Sequence, residues 1–545
     1  MAVVGKEYHG LLPAANDTRS SPAMSKFTAL RLDLDRQGLL ACALAVAVFV
    51  ALLLSRRQRT PGKLLPMPPG RLPIVGHRPA LGPERPWLKM KEWADTYGPI
   101  YRIQLGNQQV VVLSDARTAN ALLDKRSAIY SSRPHSVVGV EYVGRGLRML
   151  FMPYNELWKK QRKYMNQLTS PTAAATYEPL QDLESTHLML DLLQKPNEFW
   201  EHLTRYAGST IMGITFNKRA KLASDPDITD MQTVIKYVTR VAVPGAYIVD
   251  TLPWLDYLPR FLAPWKRAGD EAHAQQRTLF MRHLTDVKRD MAEGREARCF
   301  TQAMLGMKNQ ELSELQIAFL GGTMYGAGSD TTADATSSFI LAMVKHPHIV
   351  RKAHAELDRV VGRERLPAFS DQSDLVYIRA IIAEMHRWRP VIAGGLPHRL
   401  DQDDVYEGYF LPKGCSVVAN AWAIHQQPDL YPDPQTFKPE RFITSENTFQ
   451  GVPGAERGHF GFGFGRRVCP GLYIGERSIF IIFSRLLWAF DFGYAHDAQG
   501  EEIPIDENEY TSGFSSHPKP FLCSITPRDA EVTKIVAAHA QQVGL

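Results

Sequence analysis

Phe462-Gly463-Phe464-Gly465-Arg466-Arg467-Val468-Cys469-Pro470-Gly471 sets a single cysteine in a glycine-rich turn, with two arginines just before it. Glycine opens backbone dihedrals closed to other residues and lets a neighbouring group approach closely. Nearby positive charge and inward-facing amides favour a thiolate over a thiol. An apolar helical pattern begins at Leu472, so the sulfur is expected near a helix amino end, where the peptide dipoles favour an anion again. A buried structural cysteine would need neither the glycines nor the arginines. The other four cysteines, Cys42, Cys299, Cys415 and Cys523, are scattered. No Cys-x-x-Cys pair occurs, so neither a zinc site of that kind nor a disulfide-stapled fold is expected.

Upstream, Glu311 to His346 is the longest helical pattern, and its middle is unusual: Gly321-Gly322, then Gly326-Ala327-Gly328, then Ser329-Asp330-Thr331-Thr332. Glycine costs about 1 kcal/mol in a helix interior, and Ser, Asp and Thr compete for backbone bonds. Such residues at the centre of a long helix imply close approach to another body or a local kink. Helical periodicity also marks Leu180 to Leu193, Asp230 to Val241 and Ala268 to Ala292. Tyr101 to Leu113 alternates like a hairpin turning near Gly106-Asn107. Between Pro244 and Trp265 four prolines break the pattern, with Tyr247, Trp254, Tyr257 and Phe261 among them. Such a segment suits the rim of an apolar pocket, a membrane-facing surface or ordinary packing between helices.

The chain has 545 residues, 44% hydrophobic and 22% charged, the mix of a folded protein. A net charge of +6 without dense basic clusters excludes nucleic acid as a partner and leaves room for an acidic protein or anionic lipid. Residues 39 to 54, LLACALAVAVFVALLL, carry no charge, and from Gly38 to Ser55 the run is 18 residues long. It is read as a transmembrane anchor. Arg56, Arg57 and Arg59 follow it and place the downstream body in the cytosol, with residues 1–37 as a lumenal tail. Asn16-Asp17-Thr18 in that tail is a formal glycosylation acceptor. Prolines from Pro61 to Pro73 make 56–83 a semi-rigid basic linker. The main domain is expected over 84–528, and 529–545 is a tail.

The decapeptide resembles the signature of the cytochrome P450 family, Phe-x-x-Gly-x-Arg-x-Cys-x-Gly, and Phe462, Gly465, Arg467, Cys469 and Gly471 fill every position. The resemblance extends from the proline-rich strap to about Pro527. It implies a mainly α fold with small β-sheets. It further implies that Cys469 ligates the iron of haem b, that Arg467 pairs with a haem propionate, and that Phe462 packs beside the sulfur. Ala327-Gly328-Ser329-Asp330-Thr331 is similar to the family's oxygen-site motif. By resemblance the Gly328 region gives dioxygen room over the haem. Thr331 would then hold the proton-delivery hydrogen bonds, with Asp330 as the relay from solvent. Trp158 and Arg162 match Trp-x-x-x-Arg, and with His398 or Arg399 they would face the propionates. Glu384 and Arg387 match Glu-x-x-Arg, with Arg441 as a third member holding the haem-side core. The stretch VVANAWAIHQQPDLYPDPQTFKPERF resembles fungal secondary-metabolism members, including the aflatoxin-pathway O-methylsterigmatocystin oxidoreductase type.

What the resemblance implies is a monooxygenase of the endoplasmic reticulum membrane. It would take electrons from NADPH through a flavoprotein reductase, with cytochrome b5 as a further partner, and oxidise an apolar terpenoid, polyketide or aromatic. Lys159, Lys160 and Lys163 would offer charge to the reductase. Substrate contacts are expected from 131–148, from the segment near Trp254, from 391–396 and from 512–514. A reductase-independent isomerase or dehydratase of this family, or a haem-binding membrane protein without turnover, would not need the Asp330-Thr331 pair.

Overall fold

In the computed structural model, which describes residues 61–243, 245–295 and 298–545, the chain joins its body earlier than expected. Lys63–Leu64 forms a strand, β1, paired in parallel with Tyr409 and Phe410. Leu65 is buried behind it, and the Pro66 carbonyl accepts the Arg102 amide (2.9 Å). Proline lacks a donor but keeps its acceptor, so a proline-rich strand can run along a sheet edge. One compact unit extends from Gly62 to Leu545, so residues 62–83 are body rather than free linker. The predicted anchor, 38–55, lies outside the described residues, as do Asn16 and Pro244. Among the described residues no helix is long and apolar enough to cross a membrane.

The predicted hairpin forms: β2 (Ile100–Leu105) and β3 (Gln108–Leu113) pair antiparallel from Ile100↔Leu113 to Leu105↔Gln108. Gly106 turns it with φ +61°. The sheet order is β2-β3-β7-β4, with β4 His398–Arg399 and β7 Ser416–Ala419. A second small sheet joins β1 to β6 (Tyr409–Leu411) and β5 (Asp404–Tyr406), and β8 (Phe490–Tyr494) pairs with β9 (Cys523–Pro527).

The remainder is mainly helical. The elements that frame the site are α1 (Glu156–Leu168), α2 (Glu178–Gln194), α3 (Phe199–Phe216), α4 (Pro226–Ala242), α5 (Pro264–Ala292), α6 (Glu314–Lys345), α7 (Val376–Trp388) and α8 (Leu472–Ala489). The four helices read from periodicity are α2, α4, α5 and α6. Ser313 caps α6 in a reciprocal box with Gln316. The glycines of α6 answer to close approach. A Cβ at Gly322 would lie 2.4 Å from the Phe280 ring of α5, and one at Gly328 2.6 Å from Ile211 of α3. The smallness of Gly328 is therefore used up in helix packing.

Residues 529–545, read as a tail, form a docked helix, α9 (Glu531–Val543). Val532, Val536 and Ala540 recur every four residues and are buried, and His539 Nε2 meets Asp182 of α2 at 3.1 Å. Between Val243 and Trp265 the proline-broken segment is short helical turns, with Trp254, Tyr257 and Phe261 exposed by 61%, 92% and 83%.

Candidate active site

Cys469 lies between a 3-10 turn, Gly465–Arg467, and the start of α8. The loop closes on itself: the Cys469 amide donates to the Phe462 carbonyl (2.9 Å) and the Val468 amide to that of Gly465 (3.1 Å). Gly465 has φ +57°, and a Cβ there would stand 2.0 Å from the Leu123 carbonyl oxygen, so a side chain is excluded. Burial pushes the Cys469 thiol up, while the Gly471 amide and the Arg162 guanidinium pull it back. The favourable charge on the sulfur therefore comes from α1, opposed by Glu476 of α8, and not from Arg466 or Arg467. Cys469 keeps accessible surface although protein surrounds it, and a Cβ at Gly471 or Gly475 would meet nothing within 4 Å. The residue is therefore partly uncovered, and the backbone of Gly471 and Gly475 beside it is unfilled. Phe462 stands with its ring 5.5 Å from those of His386 and His459.

Cations without anions gather beside this loop. Arg467 donates to the carbonyls of Ser131 and Met152 (2.7 Å each) and stacks over Trp158 at 4.2 Å. Burial, with Arg133 and Arg162 adding repulsion, lowers its pKa to about 8. Arg162 donates to the Val468 carbonyl (2.6 Å). Arg133 donates to the carbonyls of Pro397 (2.5 Å) and Leu396 (3.1 Å), and its buried Nε has no partner. Trp158 Nε1 is likewise buried and unpartnered. His398 Nδ1 donates to the Tyr130 carbonyl (2.8 Å), and burial with Arg133 holds the ring neutral, its pKa lowered to about 3. Successive strand residues face opposite ways. The neighbouring Arg399 accordingly turns to Asp401 (2.9 Å) and stays out of the cluster.

Helix α6 packs on α8. Residues 317–322 and 335–344 of this helix are buried, but from Gly326 to Asp334 it is only partly covered, and Ala327 is exposed. A gap in the burial of a central helix marks an internal opening. Thr331 Oγ1 donates to the Ala327 carbonyl (2.7 Å). Asp330 is raised by burial against the lowering influence of His517 and Ser329. It borders a crevice of about 10 Å³ shared with Thr204, Gln232 and Tyr325, room for about one water.

Glu384 and Arg387 are fully buried and bidentate (2.6 and 2.9 Å), and Arg441 reaches Glu384 at 3.1 Å. Their remaining donors hold the carbonyls of Pro432, Pro434 and Thr436. The triad pins the loop that leads to the cysteine, with Arg441 on its outer side. Of the expected substrate segments, 131–148 meets the one near Trp254 where Asp250 accepts the Val137 amide (2.6 Å), and 391–396 is met by Ser516, just beyond 512–514, whose amide donates to the Val391 carbonyl (2.8 Å).

The model of the family described as cytochrome P450 matches residues 66–525. Among curated proteins, cytochrome P450 monooxygenase 58 of Postia placenta is 35% identical over 92% of this chain and 95% of its own. Cytochrome P450 monooxygenase fogE of Aspergillus ruber is 37% identical over 91% and 93%, and virE of Hypocrea virens 36% over 87% and 87%. The chain belongs to the cytochrome P450 family. It is a haem-thiolate monooxygenase of fungal type, with haem b as cofactor and electrons from NADPH through a redox-partner reductase.

Of the residues expected to serve this cytochrome P450, the fold brings together Cys469, Arg467, Trp158, Arg162 and His398, sets Asp330 and Thr331 on α6, and leaves Arg399 apart. Arg133 was missed. Its Ser131-Ser132-Arg133-Pro134 setting carries no spacing that ties it to Arg467. Behind the cysteine loop lies an open basin of about 590 Å³ lined by Tyr154, Lys159, Arg162, Lys163 and Arg466 among others. Lys159 and Lys160 are paired with Glu156 and Glu311, so Arg162, Lys163 and Arg466 are the cations there without an acidic partner among the described residues.

Proposed function

We propose that Cys469 supplies the thiolate ligand of the haem iron and that Arg467, Arg162, Arg133 and Trp158 hold its propionates, with the neutral His398 ring fixing the strand beside them through its bond to the Tyr130 carbonyl. The observation that carries this is the cluster of desolvated guanidinia with no hydrogen-bonded carboxylate among the described residues, beside a cysteine that keeps accessible surface. Buried charge without a counter-charge is costly, and two propionates are the anions this cluster lacks. Haem, when bound, supplies dioxygen activation at an iron whose thiolate favours O–O cleavage. The protein does the rest. The Thr331 hydroxyl both donates and accepts, so it can hold a proton over the open middle of α6. Asp330 reloads it from the crevice side. Arg466 and Lys163 offer the reductase, and cytochrome b5, a positive face behind the sulfur.

The substrate in this reading is an apolar terpenoid, polyketide or aromatic of fungal secondary metabolism. The protein sits at the endoplasmic reticulum membrane, with 38–55 as a single span, 1–37 lumenal with Asn16 as a glycan acceptor, and the catalytic body cytosolic. Exposed Trp254, Tyr257 and Phe261, with Ile74, supply a second apolar surface for the bilayer. The experiment is the spectrum of the reduced, carbon monoxide-bound protein, followed by product analysis with reductase and a panel of such compounds. Wild type should give the long-wavelength thiolate band and substrate-dependent NADPH consumption, and Cys469→Ala should lose both. A thiolate band retained in C469A would overturn the ligand assignment.

A further inference from the structure

Three buried histidines stand between the Glu384–Arg387 pair and the cysteine loop. His386 lies on α7 between the two charged residues, His425 ends the short helix Ala421–His425, and His459 precedes Phe462 by three residues. Two of the rings hold backbone. His425 Nε2 accepts the Phe460 amide (2.8 Å), and His459 Nδ1 accepts the Gly461 amide (3.1 Å). His386 stacks on His459 with centroids 4.5 Å apart, and both rings stand 5.5 Å from that of Phe462. Arg387 donates to the His425 carbonyl (3.1 Å), and the Phe462 carbonyl accepts the Cys469 amide (2.9 Å). A line of contacts therefore runs from the buried ion pair, through His425, to the residues that precede the sulfur.

A backbone N–H only donates, so the ring nitrogen that meets it carries no proton. His425 is therefore neutral with its proton on Nδ1, and His459 is neutral with its proton on Nε2. Nδ1 of His425 is sealed from solvent and has no partner. A buried donor left unmet is costly. The fold accepts this and keeps Nε2 on the Phe460 amide. An apolar side chain of similar size would fill the space, but it would leave the buried Phe460 amide without an acceptor.

We infer that His425 and His459 are positioning residues for the thiolate: as neutral acceptors they fix residues 460–462, and through the Phe462 carbonyl they hold the loop that presents Cys469 to the haem iron. The inference rests on reading Cys469 as that ligand. No bond forms or breaks at either ring.

The test uses the full-length holoenzyme. The side-chain oxygen of asparagine falls near the place of a histidine Nδ1, and that of glutamine near Nε2. His425→Gln and His459→Asn therefore keep the acceptor, whereas His425→Asn and His459→Gln misplace it. Hydrogen exchange is read at the Phe460 and Gly461 amides, without reductase or substrate. H425N should speed exchange at Phe460, and H459Q at Gly461, each by about tenfold, the worth of one hydrogen bond. H425Q and H459N should stay near wild type. The second readout is the reduced, carbon monoxide-bound spectrum during mild warming below the unfolding midpoint. H425N and H459Q should lose the long-wavelength thiolate band several-fold faster than the acceptor-keeping variant at the same site. A role in packing alone would treat the two variants at a site alike. Both readouts must separate them, and if either does not, the inference falls for that histidine. If neither variant at a site yields a folded haem protein, an acceptor is not what the ring supplies, and the inference falls there too. Cys469→Ala separates the two readings. C469A with a retained thiolate band sinks the ligand reading, and exchange still decides whether the rings hold the loop. C469A without the band, together with paired variants that behave alike, sinks the histidine role alone.

Discussion

Thr331 bonds only the Ala327 carbonyl one turn back, so its hydroxyl can be removed without disturbing the fold. T331A should bind substrate and consume NADPH, yet make less product and more hydrogen peroxide per NADPH. The loss should approach about 3 kcal/mol if the hydrogen bond is made mainly in the transition state, by analogy with oxyanion donors. The ratio of product to NADPH in one reductase preparation decides it, and an unchanged ratio places proton delivery elsewhere. A second prediction concerns three buried histidines behind Phe462. His386 and His459 stack at 4.5 Å, and His425 Nε2 accepts the Phe460 amide (2.8 Å). Burial lowers His386 from 6.5 to about 4 and holds the other two well below the usual range. The unfolded chain binds these protons first, so their stabilisation is whole above pH 6.5 and drains as pH falls toward 4. His386→Leu should flatten part of that acid fall in the unfolding midpoint, and a profile as steep as wild type would show that the ring is not responsible.

Helix α6 shows why local propensity misleads at the scale of an element. Replacing a helix-interior glycine by alanine ordinarily stabilises by about 1 kcal/mol. At Gly322 the new methyl would enter the Phe280 ring, whose nearest atom stands 2.4 Å away. Gly322→Ala should therefore destabilise by about 1–3 kcal/mol, measured by denaturant unfolding of the haem protein. A gain in stability would mean that α5 yields without cost. The sequence showed that something came close to these glycines. It did not show that α3 and α5 were the bodies, because the contacts join residues far apart in the chain. Likewise Glu384 and Arg387 were legible as a helical pair, but their burial, and their hold on the carbonyls of 432–436, were not.

For the whole molecule, deleting residues 1 to 55 should release much of the protein from membranes and leave haem binding intact, since the compact unit begins at Gly62. Release should be partial, and changing Trp254, Tyr257 and Phe261 to Ser in the truncated chain should make it nearly complete. Sedimentation with vesicles reads both steps. Loss of the folded haem protein on truncation would show that the run belongs to the core. A triple variant as membrane-bound as its parent would remove the second apolar surface from the proposal.

The sequence by itself determined the chemistry that depends on short spacing. The cysteine loop, the Asp330-Thr331 pair and the Trp158-Arg162 pair are each contained within about three helical turns, where geometry follows from residue order. It also marked the helices that bury one apolar stripe. Only the tertiary structure decided which cations meet. Arg133, Arg162, Arg467 and His398 come from four separate segments, and their lack of a counter-anion is a property of burial that no local pattern encodes. The same holds for His398 over Arg399, where strand pleat selects one of two neighbours, and for β1 and α9, where proline-rich and unassigned termini find partners hundreds of residues away.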